Sequence, residues 1–368
     1  MSHEVYDRLA LHLSTLGMGM PYTEDLLGIL KENFEPAEAE VALALPTKVG
    51  PLELVTIDHI AQHISLDREK LHTILEGLAA KGMLFSGTTE DGEKGYALQQ
   101  VGFGFPQTFF WGGKETDHAK NMASLICKYF SRKVNQEAYG GSETKPFRYV
   151  PVRKTIAQSI QAVYPHHAME DVIDQAKVIA VGHCPCRMTM KLRGKECEHP
   201  LEVCLKFDDM AQYVIDRALA REISKEEAIQ IIEESEKAGL VHFVDNALGE
   251  IKHNCNCCGC SCWNVGTIKR RKIPRDTLMA TYFMRETNKE ECSGCGICAE
   301  ICPVDALTIE DGVAVVDDNW CIGCGVCVKP CPSDASALKL RTDVVQTIPK
   351  NFKELHEKIL IEKGLKVT

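Results

Sequence analysis

Residues Cys292 to Pro332 read CSGCGICAEICPVDALTIEDGVAVVDDNWCIGCGVCVKPCP. The run Cys292-x2-Cys295-x2-Cys298-x3-Cys302-Pro303 returns 29 residues later as Cys321-x2-Cys324-x2-Cys327-x3-Cys331-Pro332. Repetition at a fixed offset marks an internal duplication. Four thiolates are the ligand set of a [4Fe–4S] cube, and the x2 spacing lets one short loop reach three irons. Gly294, Gly296, Gly323 and Gly325 give such a loop its positive-φ turns.

On these residues, 290–340 resembles the bacterial two-cluster ferredoxins. The resemblance implies that the fourth cysteine of each run crosses to the other cluster. Cluster I then takes Cys292, Cys295, Cys298 and Cys331, and cluster II takes Cys321, Cys324, Cys327 and Cys302. Zinc sites or a disulfide framework are the competing readings. The module covers about one seventh of the chain and leaves the rest to be read for itself.

The chain has 368 residues, 18 cysteines and a net charge of −10. That length allows two or three domains with cores of their own. Cysteines grouped as C-x-C and C-x2-C, with no signal peptide over the first ten residues and no twin-arginine leader, point to metal thiolates in a reducing cytosol. No apolar run approaches the ~18 residues of a membrane span, so the expected location is cytoplasmic. The acidity is local. Residues 1–116 carry 8 Lys+Arg against 17 Asp+Glu, whereas the other 252 carry 34 against 35.

Along the first segment the pattern predicts helices at 5–16, 24–33, 36–44, 56–64 and 67–81. A hairpin, 83–86 with 96–99, follows across the turn-prone 88–92. This order, and the stretch TIDHIAQHISLDREKLHTILEGLAAKGMLF, resembles the winged-helix superfamily. Nucleic-acid binding draws on cations that neutralise phosphates, but Arg68, Lys70 and Lys81 are matched by Asp67, Glu69 and Glu76, and the wing carries Glu90, Asp91 and Glu93. Protein docking is therefore the expected role. The aromatic connector 101–113 is expected to pack between domains. Neither a strand–GxGxxG–helix unit nor a P-loop is present, and without CxxCH covalent haem has no support.

The middle of the chain holds two cysteine knots. HCPCRMTMKLRGKECEHPLEVC carries Cys184, Cys186, Cys197 and Cys204, and HNCNCCGCSCW carries Cys255, Cys257, Cys258, Cys260 and Cys262. A helix is predicted over 116–136, with Cys127 as an isolated buried thiol. Helices at 208–220 and 224–239 lie between the knots, and a helical hairpin is expected to bring the knots together. Five thiols in eight residues do not persist as free thiols, and soft thiolates select iron–sulfur, zinc or Cu(I). The CxCR…ExC…NCxCC arrangement resembles a group of uncharacterised 4Fe-4S binding proteins. One or two further Fe–S clusters are expected, with structural zinc or thiol redox chemistry as alternatives. His183, His199 and His253 are read as neighbours of the knots and not as ligands. Arg187, Lys191, Arg193 and Lys195 surround the first knot, and Lys269, Arg270, Arg271, Lys272 and Arg275 follow the second. These cations are read as potential-raising, with the second group alternatively a solvated linker or a dock for the acidic first segment.

The expected architecture is α+β and multidomain. It comprises a winged-helix-like domain (1–112), a mainly helical cysteine-rich domain (113–285), a ferredoxin-like 2[4Fe-4S] domain (286–341) and a helical tail (342–368). The expected role is low-potential electron transfer with a redox protein partner or oxidoreductase complex, without nucleic acid or membrane span, and with a homo-oligomer open. The alternatives are an Fe–S reductase with an open iron in the middle cluster and a redox-sensing winged-helix regulator. No catalytic side chain is assigned.

Overall fold

The computed structural model describes residues 2–157, 168–195, 197–344 and 348–367. The first segment opens with helices Ser2–Ser14, Glu24–Asn33 and Pro36–Leu43. A short strand, β1 (Val55–Thr56), then leads into helix Ile57–Ala61 and helix Arg68–Ala80. The hairpin of β2 (Leu84–Thr88) and β3 (Lys94–Leu98) completes a three-stranded sheet in the order β1-β3-β2. Asp67 caps the helix Arg68–Ala80 by accepting from the N–H groups of Glu69 and Lys70, which satisfies donors that the first turn leaves free. Leu71, Leu75 and Leu78 form its buried stripe.

The middle of the chain differs from the helical expectation. Two short strands, β4 (Gln100–Val101) and β5 (Gly104–Phe105), lie in the aromatic connector. Beyond them runs a seven-stranded sheet. Its members are β6 (Phe147–Val150), β7 (Ile179–His183), β8 (Glu202–Phe207), β9 (Arg221–Glu222), β10 (Val241–Asp245), β11 (His253–Cys257) and β12 (Met279–Ala280), in the order β12-β6-β10-β11-β8-β7-β9. Every pairing is antiparallel except β12 with β6. The strands escape a hydrophobicity reading because polar residues are buried in them: Arg148, Lys206, His242, Asp245, Asn254 and Asn256.

Alternation along each strand separates the two faces. Val203, Leu205 and Phe207 of β8 pack with Val150, Val181 and Val244 under the helices Met169–Gln175 and Lys225–Lys237. Cys204 points to the other face, where Ala180, Phe85, Trp111 and Tyr213 gather. The expected helix over 116–136 is also broken. It runs Asp117–Tyr129, and Ser131 then caps a second helix, Arg132–Tyr139. Between them Phe130 stacks on Trp263, the residue after Cys262, with ring centroids 5.5 Å apart and planes 6° from parallel. Cys127 is half-buried on the first of these helices.

In the last third, β13 (Phe283–Thr287) pairs with β16 (Ser336–Leu340), and β14 (Leu307–Glu310) pairs with β15 (Val313–Val316). This unit is tied to the middle by the basic segment. Arg271 donates to the carbonyls of Val304 (2.6 Å) and Asp305 (2.5 Å) and lies 4.5 Å over the Trp320 ring. Lys269 pairs with Asp305 at 3.2 Å, and Arg275 donates to the Cys321 carbonyl. The segment is thus a clamp and not a solvated linker. One core of buried side chains runs through the expected domains, from Val5 through Phe103 and Phe147 to Val304 and Val326. The aromatic connector is part of it.

The tail helix Phe352–Glu362 returns to the first and middle segments. Leu355 and Ile359 enter the core under the large sheet, Phe352 meets Phe103, and Lys363 donates to the carbonyls of Gly17 and Ala138.

Two predictions follow from these contacts. Replacing Arg271 with Ala removes charged donors to two carbonyls, each bond worth about 1.5–3 kcal/mol. Faster hydrogen exchange in β13 and β16, with the exchange in β2 and β3 unchanged, is the expected result. His356 is buried beside Phe103 and Phe352, and burial holds its imidazole down to about 3. A neutral histidine in the folded state favours folding above its ordinary value of 6.5, and this contribution is lost as pH falls from 6.5 towards 3. His356→Leu should therefore gain on the native protein by up to about 1.4 kcal/mol for each pH unit below 6.5. Unfolding monitored at pH 7, 6, 5 and 4 measures that divergence.

Candidate metal centres

In the C-terminal unit, Cys292, Cys295, Cys298 and Cys331 line one cavity of ≈ 290 Å³. Cys302, Cys321, Cys324 and Cys327 line another of ≈ 320 Å³. Two glycines allow the close approaches that shape these loops. A Cβ on Gly294 (φ 65°) would lie 2.4 Å from the Gly312 carbonyl oxygen, and one on Gly323 (φ 61°) 2.0 Å from that of Phe283. Backbone N–H groups point at sulfur, from Ala314 to Cys292 (3.4 Å) and from Ala306 to Cys302 (3.3 Å). Four thiols and N–H donors around each cavity fit a thiolate-held [4Fe–4S] cube.

Arg285 was not foreseen. It sits on β13, is buried, and lines both cavities. Its guanidinium donates to Ser336 Oγ at 2.7 Å, to Thr287, and to Cys298 Sγ at 3.9 Å. A buried cation needs nearby negative charge, which the surrounding cysteines supply as thiolates.

The two middle knots meet through strand pairing and not through a helical hairpin. β8 and β11 are neighbours, with Leu205 opposite Asn254 and Lys206 opposite His253. β7 delivers Cys184, and Cys186 follows in the first turn of the helix Pro185–Leu192. Alternation on β11 places Cys255 and Cys257 on one face. With Cys262 and Cys204 these cysteines line a cavity of ≈ 650 Å³, closed by Phe130, Tyr139, Phe147, Phe243 and Trp263. Thiol contacts run in sequence from Cys184 to Cys186, Cys262, Cys257, Cys255 and Cys204. Hydrogen bonds from Cys204 and Cys257 draw the Cys255 thiol below its ordinary value, and those from Cys186 and Cys257 do the same for Cys262.

Two buried cations accompany this chamber. Lys206 Nζ lies 2.9 Å from Cys204 Sγ and 4.9 Å over the Trp111 ring. Arg187 donates to the Asn256 carbonyl at 3.2 Å and lies beside Cys184, Cys258 and Cys257. Arg187 was among the expected basic residues, but Lys206 was not. Lys191 turns away to Glu115 (2.8 Å), and Arg193 and Lys195 are exposed.

The remaining three middle cysteines stand apart. Cys197, Cys258 and Cys260 gather with His199, all four ligand atoms within 4.8 Å of one another. His199, expected as a neighbour of the knots, lies within this group. His253 lines the chamber but is held by Asp245, 3.0 Å away. His183 Nδ1–H donates to the Trp111 carbonyl (3.2 Å), and the residue joins neither group.

Removing the positive charge between the two C-terminal cavities should lower their reduction potentials, because a cation favours the more negative, reduced state. Arg285→Leu is expected to shift both downward by on the order of 100 mV, a Coulomb estimate for one partly screened charge. Redox titration followed by EPR reads the shift.

Comparison with known proteins agrees with the C-terminal geometry. Residues 291–335 match the family model of the 4Fe-4S dicluster domain. No curated protein and no solved structure matches the chain. The C-terminal unit is therefore a ferredoxin-like iron–sulfur domain.

Proposed function

We propose that this chain is a low-potential iron–sulfur electron carrier, a donor or acceptor subunit for a larger oxidoreductase. In this reading Cys292, Cys295, Cys298 and Cys331 hold one [4Fe–4S] cluster, and Cys302, Cys321, Cys324 and Cys327 hold the second. The inner chamber of Cys184, Cys186, Cys204, Cys255, Cys257 and Cys262 holds a further iron–sulfur centre. Such clusters supply one-electron oxidation and reduction when bound.

The observation that carries the relay is Tyr149. This side chain is buried on β6, the strand that runs on to the backbone contact with the C-terminal unit at Val152. Burial first, and then the charges of Cys262, Cys257 and Cys324, push its phenol well above the ordinary value. Cys257 and Cys262 belong to the inner chamber and Cys324 to the nearer C-terminal cavity. One tyrosine therefore feels the thiols of both. Three residues along, Val152 donates its N–H to the Cys324 carbonyl at 2.9 Å. Phe130 and Trp263 keep water from the chamber, while Lys206 and Arg187 offset its negative charge.

The first segment supports docking to protein. Its acidity disfavours phosphate backbones, and its cations are used within the chain: Arg68 with Asp58, Lys81 with Glu38 at 2.7 Å, and Lys94 with Glu76 at 3.2 Å. Among the described residues, no helix is long and apolar enough to cross a membrane. A redox protein in a reducing cytoplasm is the partner and setting that this reading proposes.

Iron and sulfide quantitation on full-length protein, purified anaerobically, tests the proposal. Two cubes account for about eight irons, and the inner chamber adds to that number. Cys255→Ser and Cys257→Ser should each remove the excess and its EPR signal while leaving about eight irons. A native count that stops at about eight, unchanged by either substitution, contradicts a cluster in the chamber.

A further inference from the structure

We infer that Cys197, His199, Cys258 and Cys260 form a separate mononuclear zinc site, which divides the nine middle cysteines into six for the chamber and three for this ion. The first argument is size. Zinc binds sulfur at about 2.3 Å and imidazole nitrogen at about 2.0–2.1 Å, so tetrahedral ligand atoms stand roughly 3.5–3.8 Å apart. The four ligand atoms here all lie within 4.8 Å of one another. A cube attaches each thiolate to a different iron, which spreads the four sulfurs well beyond that spacing.

The second argument is the donor set. Three thiolates and one imidazole are among the ligand combinations of structural zinc. His199 Nδ1 is buried and has no hydrogen-bond partner, a costly state for a polar atom unless a ligand satisfies it.

The third argument is the fold. Cys257 and Cys258 are adjacent where β11 ends, but they point to opposite sides. Cys257 joins the chamber and Cys258 the core beneath the helices. Cys258-x-Cys260 and Cys197-x-His199 come from loops about sixty residues apart, one following β11 and the other preceding β8. An ion held by all four cross-links these loops on the outer side of the chamber.

The location gives the site a purpose. Cys260 and His199 line a groove of ≈ 1280 Å³ whose opposite wall is Cys302, Pro303 and Val326 of the C-terminal unit. Gly259, between the two cysteines, approaches so closely that a Cβ there would lie 2.1 Å from the Pro303 carbonyl oxygen. The ion therefore fixes the loop that abuts Cys302. Zinc has no redox chemistry of its own, so it sets distance without competing for electrons. The inference is independent of whether the chamber holds a cluster.

The test is zinc and iron content per chain by plasma mass spectrometry, on full-length protein purified anaerobically. About one zinc per chain is expected. Cys260→Ser and His199→Ala should each lower it at least about tenfold with iron unchanged. His199→Cys, which completes a four-cysteine set, should retain it. Unchanged iron in each variant shows that the remainder is folded. Native protein without zinc, zinc retained in both loss variants, or a loss of about four irons in either variant would each overturn the assignment.

Discussion

Buried positive charge set against buried sulfur is the interaction on which this structure depends. Thiolates concentrated away from water repel one another, and each carries a desolvation cost unless it meets a cation, a hydrogen-bond donor or a metal. The protein places a buried cation at each accumulation: Arg285 between the two C-terminal cavities, Lys206 on the inner chamber, and Arg187 at Cys184, Cys257 and Cys258. All three are buried. The strands that carry them, and the helix that carries Arg187, are held by packing on both sides. The scaffold thus serves to hold charge opposite sulfur.

The same scaffold makes the chain one continuous body and not a string of modules. The basic segment clamps the C-terminal unit, the aromatic connector fills the space between the first segment and the large sheet, and the tail helix closes over both. For an electron carrier this has a direct consequence. Tunnelling needs fixed separations, and the contacts at Val152 and Gly259 join the middle to the C-terminal unit.

What could be read from the sequence followed from how local each feature is. The C-x2-C-x2-C-x3-C-P runs are legible because one loop supplies three ligands, so spacing alone carries the geometry. The helices Glu24–Asn33 and Phe352–Glu362 lie where their periodicity and caps place them. The middle knots read as metal-seeking from their crowded thiols, but their grouping is hidden in the sequence, since strands distant along the chain assemble them. One signal was present. HNCNC alternates, and a period of two puts His253, Cys255 and Cys257 on one face. The buried asparagines and Lys206 masked it by resembling a polar loop. Arg285 and Lys206 look like ordinary strand charges in sequence, and only burial distinguishes them. His199 reads as a neighbour because cysteines are plentiful, and its place within a compact group with Cys197, Cys258 and Cys260 shows only in the fold.

The relay between the inner chamber and the C-terminal cubes is the central claim, and magnetic coupling tests it most directly. Full-length protein reduced anaerobically should give EPR spectra in which the chamber's signal is broadened or split by the nearest cube, with the interaction lost in Cys324→Ser. An isolated chamber signal, identical in native protein and in Cys324→Ser, would contradict a relay between the two.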